Sequence, residues 1–164
     1  MARMSTLILL SAIPGAGKST WAKDYQRNHP NTYIVASDDV RCRVSGGIQC
    51  FQNEAKVWEV FLHELQDYSK QECTVIADAT NLQNRYRRYY YENTPGFDHH
   101  ILVVFHVPFE LCMEQNRKRS SDRVVSDEGM KSLYAEFEEP TQDIIDLYDE
   151  YIDIHEDYVE RRVK

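Results

Sequence analysis

An apolar run, Leu7 to Leu10, breaks at Ser11-Ala12-Ile13-Pro14-Gly15-Ala16-Gly17-Lys18-Ser19-Thr20 into a glycine-rich turn that ends at a helix start. No other stretch limits the fold as tightly, because a buried strand, a loop of small residues and a helix must follow one another directly. Gly15 and Gly17 let consecutive backbone N–H groups turn inward toward phosphate oxygens, with Ala16 between them and Thr20 following. Lys18 adds a point charge for the β- and γ-phosphates, and the Ser19 hydroxyl is placed to hold Mg2+. One position departs from the usual pattern: Ala12 stands where Gly is customary, which requires a negative φ there. The plainer alternative is a strand-to-helix turn that happens to be rich in small residues. The whole combination points instead to a nucleoside-triphosphate cradle for ATP or GTP.

The length of 164 residues predicts one domain with a continuous core. No stretch approaches the roughly 18 apolar residues of a membrane span, and the run from Leu7 to Ile13 leads into the phosphate loop rather than a cleavage site. No membrane association and no export are expected. Cys42, Cys50, Cys73 and Cys112 form no C-x-x-C pair, so neither structural zinc nor a disulfide framework is indicated, and reduced cytoplasmic thiols are expected. A formal net charge of −8 argues against broad coating of nucleic acid, whose nonspecific affinity comes from Lys and Arg. The charge is uneven, however. Arg85, Arg87, Arg88, Arg117, Lys118, Arg119 and Arg123 lie in the middle and late chain, while Glu136 to Glu160 is heavily acidic, so a local basic cleft remains open.

Strand patterns at residues 6–11, 33–36, 74–77 and 101–107 alternate with helical patterns at 18–28, 40–44, 53–70, 84–92 and 108–116. Such alternation implies an α/β fold: a parallel sheet of four or five strands, helices on both faces, and ligands at the carboxyl ends of the strands. The acidic segment from Pro140 to Lys164 is compatible with helix or with a last strand at Tyr151 to Ile154, and its sequence does not decide.

Three loops after three strands bring charged groups to the edge where the cradle lies. Asp38 and Arg41, after the second strand, are spaced to share one face of a helix start. They serve equally as a helix cap with a local ion pair or as a general base with a phosphate-gripping guanidinium. Asp78 ends the third strand, where a metal-organising carboxylate commonly accompanies a phosphate loop, and Thr80 and Asn81 beside it are turn formers or ligands. The segment Arg117-Lys118-Arg119-Ser120-Ser121-Asp122-Arg123 has the composition of an arginine-bearing lid, or of a solvated helix end. His29, His99 and His100 are expected at the surface. Tyr86, Tyr89, Tyr90 and Tyr91 are expected in core and rim rather than stacked on bases.

Together, Pro-Gly-Ala-Gly-Lys-Ser-Thr-Trp (14–21), Ser-Asp-Asp-Val-Arg (37–41), Asp-Ala-Thr-Asn-Leu (78–82), Val-Pro-Phe-Glu-Leu (107–111) and Asn-Arg-Lys-Arg (116–119) resemble the kinase domain of phage-type polynucleotide 5′-kinases, a P-loop kinase family. The resemblance runs to about residue 140. It implies transfer of the γ-phosphate of ATP, with Mg2+, to the 5′-hydroxyl of a polynucleotide or a 3′-phosphorylated nucleotide. It further implies Asp38 as general base, Arg41 on the acceptor's 3′-phosphate, Asp78 as the second essential aspartate and Arg119 as the lid arginine on the nucleotide. Lys18 and Ser19 fall on ATP and Mg2+. Gln115 departs from the family enzyme's basic residue, and these 164 residues hold no counterpart of its phosphatase domain. A small-molecule, nucleoside or DNA-base hydroxymethyl kinase of the same fold is the second reading. A third is an ATP-binding switch in which Asp38 only caps a helix.

Overall fold

The computed structural model describes residues 4–164. Its centre is β1 (Thr6–Ser11), an unbroken apolar strand with a neighbour on each side and almost no solvent exposure. That environment explains its sequence: a parallel strand covered on both faces carries apolar residues continuously rather than alternately. The phosphate loop connects it to α1 (Lys18–Asn28), and β2 (Thr32–Ala36) runs directly into α2 (Ser37–Ser45). Then follow α3 (Glu54–Tyr68), β3 (Thr74–Asp78), α4 (Asn84–Glu92), β4 (His99–Phe105), α5 (Phe109–Arg117), α6 (Asp127–Glu136), α7 (Gln142–Leu147), β5 (Glu150–Ile154) and β6 (Glu160–Arg162).

The strands form a single sheet in the order β2-β3-β1-β4-β5-β6. All neighbours are parallel except β6, a three-residue antiparallel strand on the edge of β5. The expected α/β sheet of four or five parallel strands is therefore present with five, and a short sixth closes one side. The undecided acidic segment supplies both a helix, α7, and the fifth parallel strand.

Alternation along the strands divides the core in two. Leu7, Leu9, Val75, Ala77, Leu102 and Val104 face one side and meet Val57, Phe61 and Leu65 of α3, Tyr90 of α4 and Ile144 of α7. Ile8, Leu10, Ile76, Val103 and Phe105 face the other and meet Ala22 of α1, Cys112 and Met113 of α5 and Met130 of α6. Both faces of the sheet are thus sealed, and the binding edge is left to the loops.

The chain reverses its direction of winding between β1 and β3. From β1 it crosses over β3 to β2; from β3 it crosses over β1 to β4. A crevice opens at such a reversal, at the carboxyl ends of the strands. The phosphate loop leaves β1 and Asp78 ends β3 at that point. Asn81, at φ 43°, fastens the same corner: its Nδ2 donates to the Leu10 carbonyl at 2.9 Å, and the Ser11 hydroxyl donates to the Asn81 carbonyl at 2.7 Å. Its side chain is spent on backbone, so it is a turn former. Arg87, fully buried, reinforces the corner by donating to the Ser11 hydroxyl at 2.9 Å and to the Leu82 carbonyl at 3.2 Å.

One surface expectation is corrected, and two arginines leave the open question of a basic cleft. His100 is buried, with Nε2 3.0 Å from both the Thr94 carbonyl and hydroxyl, because β4 starts two residues earlier than its apolar run indicates. Arg87 and Arg88 contribute to no basic cleft; the first is in the core, and the second pairs with Asp143 at 2.7 Å. Of the tyrosines, Tyr90 is core while Tyr86 and Tyr89 are exposed, as expected for a helix beside a sheet. No helix among the described residues is long and apolar enough to cross a membrane.

Candidate active site

The loop's conformation follows from its glycines. Gly15 (φ 82°) and Gly17 (φ 98°) occupy left-handed backbone that other residues adopt at a cost. A Cβ on Gly15 would stand 2.2 Å from the Cys112 carbonyl oxygen in α5, so this position also needs the absence of a side chain. Ala12 does not lie at positive φ, which accounts for the tolerated departure. Gly17 caps α1 without any side-chain hydrogen bond, and no acidic residue occupies the first turn. The positive end of the helix is therefore left for an anion. Lys18 Nζ lies back over the loop, donating to the carbonyls of Ala12 at 3.2 Å and Ile13 at 3.1 Å. Burial lowers its pKa from the ordinary value, against the raising influence of Asp78 and Asp38.

Ser19 Oγ donates to Asp78 Oδ2 at 2.9 Å, and Asp78 is buried at the end of β3. The two groups expected to organise Mg2+ are thus in direct contact, a hydroxyl and a carboxylate oxygen of the hard type that Mg2+ takes. Ala36 precedes α2 as its cap and no side chain caps the helix. Asp38 lies within the first turn and its carboxylate is engaged by arginines. Arg41 Nη1 reaches Oδ1 at 3.1 Å, while Arg123 Nη2 and Arg119 Nη2 approach Oδ2 at 3.4 and 3.9 Å. Asp38 is therefore no helix cap.

Arg41 is buried between two carboxylates. Its Nε and Nη2 meet Glu54 Oε2 and Oε1 at 2.9 and 2.8 Å, a bidentate pair, in addition to Asp38. Burial pulls its pKa down, but the hydrogen bonds and charges of Glu54 and Asp38 more than offset this and raise it. Phe51 and Trp58 flank the guanidinium, with ring centroids 5.0 and 5.8 Å away. For Arg119, burial first, and then repulsion from Arg123, lowers the pKa. The segment between α5 and α6 is pinned at its base by Asn116, whose Nδ2 donates to the Val125 carbonyl at 2.7 Å and whose Oδ1 accepts from the Val125 N–H at 3.0 Å. Gln49 holds its tip by donating to the carbonyls of Asp122 and Val124.

A cavity of about 630 Å3 is bounded by Gly15, Lys18, Ser19, Asp38, Asp78 and Arg119, together with Arg41, Arg123 and Phe51. A second cavity, of about 480 Å3, adjoins it through Gly17, Thr20 and Gln115 and is walled by Trp21, Tyr25 and Tyr158. Tyr158, in the turn before β6, donates its hydroxyl to the Ala16 carbonyl at 3.0 Å. The buried Nε of Arg123 has no hydrogen-bond partner, as suits a site that takes an anion. Every predicted site residue except Ala16 lines this pair of cavities; Ala16 is buried beneath the loop. Sequence reasoning had not assigned Arg123 or Glu54 to the site. Arg123 stands within the cation-dense segment already noted, whereas Glu54 is 13 residues from Arg41 and carries no local signal.

A family profile described as an AAA domain (AAA_33) matches residues 7 to 140. The chain belongs to this AAA domain family. One relative of this AAA-domain chain is an L-seryl-tRNA(Sec) kinase of Methanococcus maripaludis, 26% identical over 161 residues, covering 92% of this chain and 60% of that protein. The chain thus spans about 60% of the length of that curated relative. Among solved structures, the Pnkp1/Rnl/Hen1 RNA repair complex includes a chain similar in fold, with TM-score 0.73, 19% identity, and 100% of this chain covering 50% of that one. Kti12 of Chaetomium thermophilum, in complex with ADP-AlF3, gives TM-score 0.68 at 16% identity, with coverage of 92% and 89%. The architecture is that of the P-loop kinases. The phage-type polynucleotide kinase resemblance is supported at the level of this wider fold family.

Proposed function

We infer that this protein is an ATP-dependent phosphotransferase, with Mg2+, that delivers the γ-phosphate to a hydroxyl of a nucleic acid or nucleotide, the 5′-hydroxyl of a polynucleotide or of a 3′-phosphorylated nucleotide being the first choice. The carrying observation is that Asp38 faces the phosphate loop across one cavity, with Arg119 and Arg123 at its carboxylate. In this reading Lys18 and the loop N–H groups hold the β- and γ-phosphates, and Ser19 and Asp78 hold the metal, which supplies charge neutralisation when bound. Asp38 accepts the proton as the acceptor oxygen bonds to the γ-phosphorus and the bond from that phosphorus to the departing ADP oxygen breaks, and Arg119, with Arg123 beside it, opposes the charge gathering on the transferred group. The work is done by the chain as one domain, in a cytoplasmic setting.

A second reading, with a different acceptor, draws on Arg41. Its bidentate bond to Glu54 and contact with Asp38 leave few donors for an acceptor phosphate, which favours acceptors without one, including a nucleoside, a small polyol or the seryl group of an aminoacylated tRNA. The deciding experiment is label transfer from γ-labelled ATP across 5′-hydroxyl oligonucleotides, 3′-phosphorylated nucleotides, nucleosides and seryl-tRNA. Transfer to 5′-hydroxyl ends is expected. Arg41→Ala is expected to weaken 3′-phosphorylated acceptors at least tenfold more than acceptors lacking that phosphate; an equal loss on both favours the second reading. Bound ATP with no acceptor labelled at all would overturn both in favour of a switch.

A further inference from the structure

At the carboxyl edge of β4 and β5, on the opposite side of β4 from β1, three side chains converge that the reaction does not use. His106 follows β4, Asp153 lies within β5 and His155 follows it, and one ligand atom from each lies within 4.8 Å of the other two. None is fully exposed. His106 Nδ1 and Asp153 Oδ1 face each other at 3.4 Å, both buried, and neither has a hydrogen-bond partner. The rings of His106 and His155 stack, with centroids 5.3 Å apart and planes 22° apart. The backbone makes this arrangement firm, since the His106 N–H donates to the Ile154 carbonyl at 2.7 Å and extends the sheet ladder up to the cluster.

We propose that His106, Asp153 and His155 bind one divalent transition-metal ion of the zinc class. Two imidazoles and a carboxylate form the mixed nitrogen and oxygen set that such ions take, and that Mg2+ does not favour. Ligands about 2.0–2.1 Å from a tetrahedral centre stand about 3.4 Å apart, which is the separation of His106 Nδ1 from Asp153 Oδ1. The outer side of His106 is prepared as well. Its Nε2 lies 2.7 Å from Glu139 Oε2, so the carboxylate takes the Nε2–H and leaves the Nδ1 lone pair directed at the cluster. A carboxylate behind a ligating histidine is the usual orienting partner at a metal centre. Three protein ligands leave a fourth position for water. The site joins two strands and the connection between α6 and α7, and it is independent of the phosphotransfer reading.

The test is zinc titration by calorimetry of the full, chelator-stripped chain, with excess Mg2+ present to occupy the Ser19–Asp78 region. One equivalent of Zn2+ should bind, and Co2+ should give the visible absorption of a four-coordinate centre. His155→Ala and Asp153→Asn should each weaken binding at least tenfold, and Glu139→Ala should weaken it about 10–100-fold. Asp78→Asn should leave it unchanged. His155 lies at the strand end with its ring partly exposed, so its loss should spare folding, which circular dichroism checks. Absence of Zn2+ binding, binding unaltered in His155→Ala, or binding lost in Asp78→Asn would each overturn the proposal.

Discussion

Asp38 is a carboxylate set among three guanidinium groups, and its chemistry follows from that company. The arginines orient both oxygens, and the carboxylate lies on the wall of the cavity. Replacing it with Asn keeps the size and removes the proposed base. Asp38→Asn should lower transfer by about 10²–10⁴ while leaving nucleotide affinity nearly unchanged, because the phosphate loop is untouched. Single-turnover transfer and equilibrium nucleotide binding, measured on the same preparation, check this. Equal losses in both would make Asp38 a structural residue. Much of this site was legible from local sequence, since the loop, the Asp38–Arg41 spacing and the strand-ending Asp78 each carry a short-range signature. Glu54 was not, because its partnership with Arg41 depends on how α3 packs after an intervening loop.

At the scale of elements, strands and helices were recovered where burial imposes a simple pattern. The continuous apolar runs of β1 and β3 and the helical spacing of Val57, Phe61 and Leu65 are of that kind. Boundaries failed where polar residues are buried. His99 and His100 look like loop, yet they pair with Thr6 and Leu7 in the sheet. α6 was missed because its polar sequence offers only Met130 as a buried anchor. The segment between α5 and α6 is held at its base by one side chain. Asn116 closes two hydrogen bonds onto Val125, so Asn116→Ala should cost about 1–3 kcal/mol of stability. It should also free residues 117–125, lowering transfer about tenfold and speeding proteolysis there. Urea denaturation and limited proteolysis are the measurements; a variant as stable and as protected as the parent would show that the Gln49 contacts hold the segment without Asn116.

Over the whole molecule, acidity acts through His100, which is enclosed by Thr94, Tyr91 and Tyr148. Burial lowers its pKa below the ordinary 6.5. On acidification the unfolded chain takes up this proton before the folded one does, so stability falls as pH drops from about 6.5 toward the folded-state value and is retained above it. Denaturant midpoints measured at about pH 7.5 and 5.5 should differ in that direction, and less so in His100→Gln. An identical pH dependence in the variant would remove His100 as the cause.

The close approach of Gly15 to the Cys112 carbonyl has a mechanical result. With room for no more than a hydrogen atom between the loop and α5, neither can shift toward the other without displacing it. Any larger residue at Gly15 would wedge this joint apart even if each part kept its own shape.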